Sequence, residues 1–264
     1  MLDVAELSFI MNQGVTTPIN ARLSDGTIAV IKYPNNPCGT QTLINEWIGS
    51  SIARKIGVTV PNFGLCRLNS DVIFSRVEID ELDESNSGVC FYTEYISKGV
   101  PLKSKRDIIN YEAELIILLD HILNNFDRHE GNLFYDVNTS ILYAIDYSHI
   151  FSHSGLRPDY DSDDIKRGMD PKRYLYSDII KKNKKAYDAL CYSAGFNERT
   201  MIQECGRIKE TVVQPYLIEL FESIPKEWID SVGRTKIDQL FDFISFRVSN
   251  IDGIAEMIIK ERQR

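Results

Sequence analysis

Positive charge is in short supply. Lys and Arg number 30 against 38 Asp and Glu, a net charge of −8. Direct nucleic-acid binding, which needs a dense basic footprint, is therefore not expected. Cysteine is also sparse: Cys38, Cys66, Cys90, Cys191 and Cys205 are dispersed, odd in number and without CxxC spacing. Such a set reads as reduced thiols of a cytoplasmic protein and excludes a disulfide framework. No apolar run approaches the roughly 18 residues of a membrane span, so no membrane is expected. The opening stretch MLDVAELSFIMNQG lacks the basic n-region and the apolar length of a signal peptide. Internal repeats and low-complexity segments are missing too.

What is present is ordinary globular material, 43% apolar over 264 residues, enough for one large domain or two small ones. The first hundred residues read as strands and turns. Ser24-Asp25-Gly26 separates two extended runs in INARLSDGTIAVIKY, the second ending on Lys32. In QTLINEWIGSSIARKIG, Ile44, Trp47, Ile48, Ile52 and Ile56 recur at helical spacing, and Gly57 is a stop. Val58–Arg67, DVIFSRV and GVCFYTEYI read as extended, with the acidic surface loop EIDELDESNSG between the last two.

The texture changes at KGVPLKSKRD. From Asp107 a helix is predicted, with a stripe of Ile108, Leu115, Ile116, Leu119, Ile122 and Leu123. A hairpin-like pair follows around Asn138, then a polar loop, SHSGLRPDYDSDDIKRGMD. Further helices are predicted over RTMIQECGRIKETVV and after Gly233, where Ile237, Leu240, Phe241, Ile244 and Val248 line a core-facing side. These patterns predict an α+β fold with a strand-rich lobe over residues 1–97 and a mainly helical lobe over 98–264.

Between the predicted helix and the polar loop lies NNFDRHEGNLFYD. Asp127 and Asn132 stand five residues apart across a turn holding Gly131, and Asp146 follows the β-type run ILYAI. Carboxylate and amide oxygens are hard ligands suited to Mg²⁺. A phosphoryl-transfer site needs a carboxylate near the attacking hydroxyl, oxygen ligands for the metal and a lysine for the nucleotide phosphates. Each residue also has an ordinary account: Asp and Asn favour turns, Lys32 can be a plain strand-end lysine, and Glu46 lies off the isoleucine stripe of its helix. The four histidines, His121, His129, His149 and His153, fall within 33 residues. They leave a zinc hydrolase open as another reading, although no Cys or Glu completes a ligand set. His129 is expected to brace the turn through backbone or Asp146.

The DRHEGN and AIDYS segments resemble the catalytic and metal-binding segments of the protein-kinase-like superfamily. Phosphoinositide 3- and 4-kinases share the DRHxxN…ID pair. The order of GVTTP, DGTIAVIKY, LINEWIGSSIARKIGVTVP, FYTEYI and SIPKEWI resembles the HipA-like serine/threonine kinases, over about residues 10–250. The resemblance implies ATP and Mg²⁺ as cofactors and a Ser or Thr hydroxyl of a protein as acceptor. Asp127 would be the catalytic aspartate, Asn132 and Asp146 the Mg²⁺ ligands, and Lys32 the phosphate contact paired with Glu46. Backbone groups of Glu94, Tyr95 and Ile96 would meet adenine, and N–H groups from Gly14 through Thr16 and Thr17 would cradle phosphate. The sequence lacks a GxGxxG loop, and Tyr-Ser follows Asp146 where ordinary protein kinases carry Phe-Gly. An antitoxin-like or regulatory partner is implied by the family alone. A lipid or small-molecule kinase on the same fold, and a nucleotide-binding pseudokinase, remain alternatives; KSKRD and IIKKNKK are the only basic clusters, and in the sequence neither makes the patch an anionic head group would need.

Overall fold

The turn at Ser24-Asp25-Gly26 forms as its residues dictate. In a computed structural model, which describes residues 1–11, 15–74, 82–103, 108, 113–151, 162–170 and 178–263, Gly26 takes φ 91°, a conformation that suits a residue without Cβ. Asp25 Oδ1 accepts from the Thr27 N–H at 2.9 Å. Strand β1 (Leu2–Ile10) pairs antiparallel with β2 (Ile19–Leu23), and the turn folds β2 onto β3 (Ile28–Lys32). Helix α1 (Gln41–Ile56) then leads to β4 (Phe63–Leu68), which pairs with β5 (Gly88–Glu94). β5 also pairs with β3, and a parallel β1–β4 contact closes a barrel in the order β1-β2-β3-β5-β4. Leu7, Ile19, Ala21, Leu23, Ala29 and Ile31 fill its interior.

Helix α1 ends as predicted at Gly57, whose φ of 92° lets its N–H reach the Ala53 and Arg54 carbonyls. It touches β5 on one side and helices of the second half on others, so it is buried almost all round. Two expectations about extended chain need correction. Val58–Arg67 is a strand only from Phe63 onward. DVIFSRV is not a strand over its described part; Ser70–Phe74 is a single helical turn, α2, whose Val72 and Ile73 N–H groups bond to the Asn69 carbonyl. The reason is topological: both edges of β4 are taken, by β1 and β5, so no ladder is open to that segment. Ser75 to Val77 lie outside the described residues.

The second half begins with β6 (Gly99–Pro101), a short strand the sequence does not announce. It pairs with β7 (Leu133–Asp136), which pairs with β8 (Ile141–Ala144). Gly99 is required here, because a Cβ would lie 2.0 Å from the Phe134 ring. Helix α3 (Ala113–Ile122) has every residue buried, so the predicted stripe is in fact a full surround. Ile108 is described but lies outside that helix. The predicted polar loop contains α4 (Ser162–Gly168), a correction with a local cause. Asp163 and Asp164 sit in its first turn and Lys166 and Arg167 in its last, complementing the helix dipole, while Ile165 is buried.

Among the described residues seven helices follow: α5 (Asp178–Lys182), α6 (Lys184–Ala194), α7 (Glu198–Thr211), α8 (Gln214–Glu222), α9 (Lys226–Val232), α10 (Arg234–Ser249) and α11 (Ile251–Arg262). On α10, Ile237, Leu240, Ile244 and Val248 are buried as predicted, joined by Phe243 and Arg247; Phe241 is half-buried. Among the described residues no helix is long and apolar enough to cross a membrane.

Candidate active site

A charged residue inside an apolar helix must find a partner, and Asp120 in LIILLDHIL is one. Its carboxylate accepts from Arg128 Nε at 3.2 and 3.1 Å and from Arg128 Nη2 at 2.9 Å, with both side chains fully buried. Burial works against the Arg128 charge, yet Asp120 holds the guanidinium above its ordinary pKa range. Arg128 Nη1 also donates to the Asn132 carbonyl at 3.0 Å and the Ile145 carbonyl at 2.8 Å. One arginine therefore ties the turn after α3 to the chain leaving β8. Asn125 Nδ2 and the Tyr187 hydroxyl donate to Asp120 as well, at 2.8 and 3.1 Å.

This lattice sets the geometry of the turn. The Asp127 N–H donates to Asn125 Oδ1 at 3.0 Å, and Asn132 Nδ2 donates to the Asp127 carbonyl at 2.8 Å. The Asn132 amide nitrogen is thereby committed to the backbone. His129 Nδ1 accepts from the Gly131 N–H at 3.0 Å, so His129 braces the turn through backbone, as expected. Asp127 itself faces His149, whose Nδ1 lies 3.4 Å from Oδ2. Burial raises the Asp127 pKa, with His149 acting in the opposite sense.

Opposite the turn, Lys32 leaves the end of β3 and enters a cluster of acids. It pairs with Glu46 Oε1, and its Nζ donates to Asp146 Oδ1 at 3.0 Å and to Ser148 Oγ at 2.7 Å. Ser148 bridges the acids, lying 2.9 Å from Glu46 Oε1 and 2.7 Å from Asp146 Oδ1. Burial opposes the ionisation of Asp146, but Lys32 and then the Ser148 hydroxyl outweigh it and hold the carboxyl far below the usual range. Burial also opposes the Lys32 charge, and Asp146 followed by Glu46 reverses that, raising its pKa. Burial raises Glu46. Asp146 has φ 60°, a left-handed conformation uncommon outside glycine and costing of order 1–3 kcal/mol. The neighbouring Tyr147 packs directly on α1 at Gly49, where a Cβ would lie 2.5 Å from Tyr147 Cβ and Cγ. That close approach brings the helix bearing Glu46 against the segment bearing Asp146.

Lys32, Glu46, Asn132 and Asp146 all line one cleft of about 240 Å³ between the barrel and the turn. Val30, Phe91 and Thr93 form part of the barrel wall, and Glu94, Tyr95 and Ile96 also line the cleft. The Glu94 N–H is used by the Asn62 carbonyl at 2.7 Å and the Tyr95 N–H by the Ile28 carbonyl at 2.9 Å. Of the described N-terminal segment, Met11 and Pro18 reach the cleft. Thr16 is buried, and Thr17, at φ 44°, places its hydroxyl 2.7 Å from the Tyr33 hydroxyl. Gly14 lies outside the described residues.

Four participants have roles that local sequence reading does not supply: Asp120, Arg128, Ser148 and His149. Only Asp120 carries a signal, as a lone carboxylate in an apolar run. Among the described residues no three His, Cys, Asp or Glu side chains gather into a metal cage. The hard oxygens of Asp146 and Asn132 suit a divalent cation that takes its remaining ligands from phosphate and water.

The barrel, the helix-borne glutamate and the helical second half place the fold with the kinases. The structure is similar to the Helicobacter pylori proinflammatory kinase CtkA, at 13% identity with a TM-score of 0.58, covering 97% of this chain and 96% of that one. It is similar to the Golgi casein kinase, at 14% identity and a TM-score of 0.51, over 99% of this chain and 75% of that one. A Golgi casein kinase structure with Mn/ADP bound matches at 13% identity and a TM-score of 0.50, over 97% and 74% of the two chains. No curated protein sequence matches the chain. The model of the HipA-like kinase family matches residues 4–189, and the chain belongs to that family.

Proposed function

We propose that the protein is an ATP- and Mg²⁺-dependent kinase that passes the γ-phosphate to a Ser or Thr hydroxyl of a protein. The observation that carries this is the Lys32–Glu46–Asp146 cluster, open to the same cleft as Asn132. In a kinase the lysine–glutamate pair and the metal-binding aspartate must both be in place. In this reading residues 1–97 form a nucleotide-binding lobe and 98–264 a catalytic lobe. Asn132 and Asp146 would hold Mg²⁺, which supplies charge neutralisation on the phosphates when bound.

Lys32 gives a fixed cation, kept charged by two carboxylates. Asp127 orients the acceptor hydroxyl and takes its proton; burial, by raising its pKa, makes it a better base than an exposed aspartate. His149, beside Asp127 Oδ2, steadies that carboxylate. Adenine recognition falls to the Glu94–Ile96 edge through the Glu94 and Tyr95 carbonyls and the Ile96 N–H, because the Glu94 and Tyr95 N–H groups and the Ile96 carbonyl are used within the protein. Catalysis is positioning and electrostatics, since phosphoryl transfer asks little covalent chemistry of the protein.

The test is incubation of the protein and its variants with γ-labelled ATP, Mg²⁺ and a lysate. Asp127→Asn and Asp146→Asn should each lower labelling by roughly 100-fold or more, and Asp146→Asn should also weaken Mg²⁺–ATP binding. Labelling by Asp127→Asn at the wild-type rate would overturn the assignment. Label found in lipid or small metabolites, with proteins unlabelled, would overturn the acceptor.

A further inference from the structure

The two basic clusters, KSKRD and IIKKNKK, lie some eighty residues apart in sequence. The fold brings one lysine from each to the same place. Lys103, just after β6, and Lys185, on α6, line an open groove of about 900 Å³, together with Arg262 at the end of α11. Glu130 lines it too, and Glu130 belongs to the turn that carries Asp127 and Asn132. The groove therefore adjoins the candidate catalytic turn.

Its charges are arranged for use. Among the described residues neither Lys103 nor Lys185 is in an ion pair, whereas Asp188 in the same wall is paired with Lys184 at 2.5 Å. Lys182, on the neighbouring α5, adds positive charge, while Lys181 and Lys184 are paired with Asp178 and Asp188. Arg262 stacks over the Phe196 ring at 4.8 Å, which fixes a cation beside an apolar surface. On a chain of net charge −8 this is a local inversion of sign.

We infer that this groove docks an acidic peptide segment of the protein substrate, Asp and Glu side chains meeting Lys103, Lys185 and Arg262. The inference rests on the kinase reading above and adds the substrate class. A peptide suits the groove better than an anionic membrane. Glu130 and Asp188 lie among the cations and would repel a continuous negative plane, while discrete carboxylates can pass between them.

The experiment uses the full chain and two labelled peptides, each with one Ser, one rich in Asp and Glu and the other in Lys. Fluorescence anisotropy reads binding without any need for phosphoryl transfer. The acidic peptide should bind at least tenfold tighter than the basic one, weaken with added salt, and lose at least tenfold affinity in Lys103→Glu/Lys185→Glu. ATP affinity of that variant should be unchanged, which shows that it folds. With the acidic peptide as substrate, the variant should raise KM and leave kcat in place. Equal binding of the two peptides, or no loss in the double variant, overturns the inference. So does loss of binding to vesicles of anionic phospholipid in the variant while acidic-peptide binding is retained. If the acidic peptide docks through these lysines but no peptide or protein is phosphorylated, the docking site stands and the kinase reading falls.

Discussion

The barrel and the turn after α3 are held by different forces. The barrel interior is mainly apolar: Leu7, Ile19, Leu23, Ala29 and Ile31 belong to one cluster of buried side chains. It delivers Lys32, at the end of one strand, to the acids Glu46 and Asp146. The turn instead rests on a polar lattice of Asp120, Arg128, Asn125, Asn183 and Tyr187, with Arg247 bonding the His121 carbonyl nearby. Apolar burial is non-directional and forgiving of shape. A charged lattice is directional, and each lost partner strands another. The lesson is a division of labour: the barrel provides stability in bulk, and the lattice provides position at a point.

The sharpest way to break that comparison is at Arg128. Arg128→Met strands the Asp120 charge in a site with no exposure and takes a donor from the Asn132 and Ile145 carbonyls, of which Asn132 keeps the Ile145 N–H. Removing one partner of a buried pair costs about 3–5 kcal/mol, and chemical denaturation should read a loss of that size. Adding Asp120→Asn should restore part of it, because the stranded charge is gone. If the double variant is no more stable than Arg128→Met, the pair is not the centre of the lattice.

The next test moves to the junction between the two regions. Gly49→Ala gains about 1 kcal/mol in helix propensity. Against that, the new methyl meets Tyr147 Cβ and Cγ at 2.5 Å, the stiff base of the side chain and not its tip. Tyr147 is buried and stacked beneath Arg128 at 5.1 Å, so it has little room to yield. Overpacking of about 1–3 kcal/mol should win, giving a net loss near 1 kcal/mol in thermal unfolding. Activity should fall further than stability does, since Tyr147 carries Asp146 with it. An unchanged rate would show that the junction does not set the position of Asp146.

What could be read in the sequence divides along the same line. The hairpin ending on Lys32, helix α1, and the Asp127, Asn132 and Asp146 spacing are local patterns, and local patterns survive folding. Glu46 lies off the apolar stripe on a helical wheel, which assumes one buried face. α1 is wedged between β5 and several helices, so its off-stripe glutamate is buried as well. β6 has three residues and becomes a strand only because β7 lies beside it. Ser148 and His149 gain partners from elements far along the chain, Lys32 and Glu46 for one and Asp127 for the other, and spacing cannot report a contact that only the fold creates. The shared groove of Lys103 and Lys185 is of the same kind.

A third test titrates the helix beneath the lattice. His121 is buried on α3, with Nδ1–H donating to the Ile117 carbonyl and Nε2 buried without a partner; its pKa is pushed down to about 3 by burial. The unfolded chain takes up that proton near pH 6.5. Above that pH both states are neutral and the histidine makes no difference. As pH falls from about 6.5 towards 3 the unfolded state alone is protonated, so stability drops by about 1.4 kcal/mol per pH unit from this group. His121→Phe keeps a ring against Tyr187 and should flatten the acid side of the stability curve by that slope. An equal fall in urea-derived stability between pH 7 and pH 5 for the wild type and His121→Phe would show that His121 is protonated in the fold.

The smallest effect belongs to the barrel. Ile31 is fully buried and precedes Lys32 on β3, its side chain pointing inward among leucines and alanines. Ile31→Val removes one methylene from a core of apolar neighbours and should cost about 0.5–1.5 kcal/mol. The partners that fix Lys32 are Glu46 on α1 and Asp146 and Ser148 after β8, none of them in the barrel core. The rate should therefore stay near wild type while the denaturation midpoint falls slightly. A rate loss larger than the stability loss would mean that barrel packing, and not the acid cluster, sets the reach of Lys32, and the two regions would then share one task.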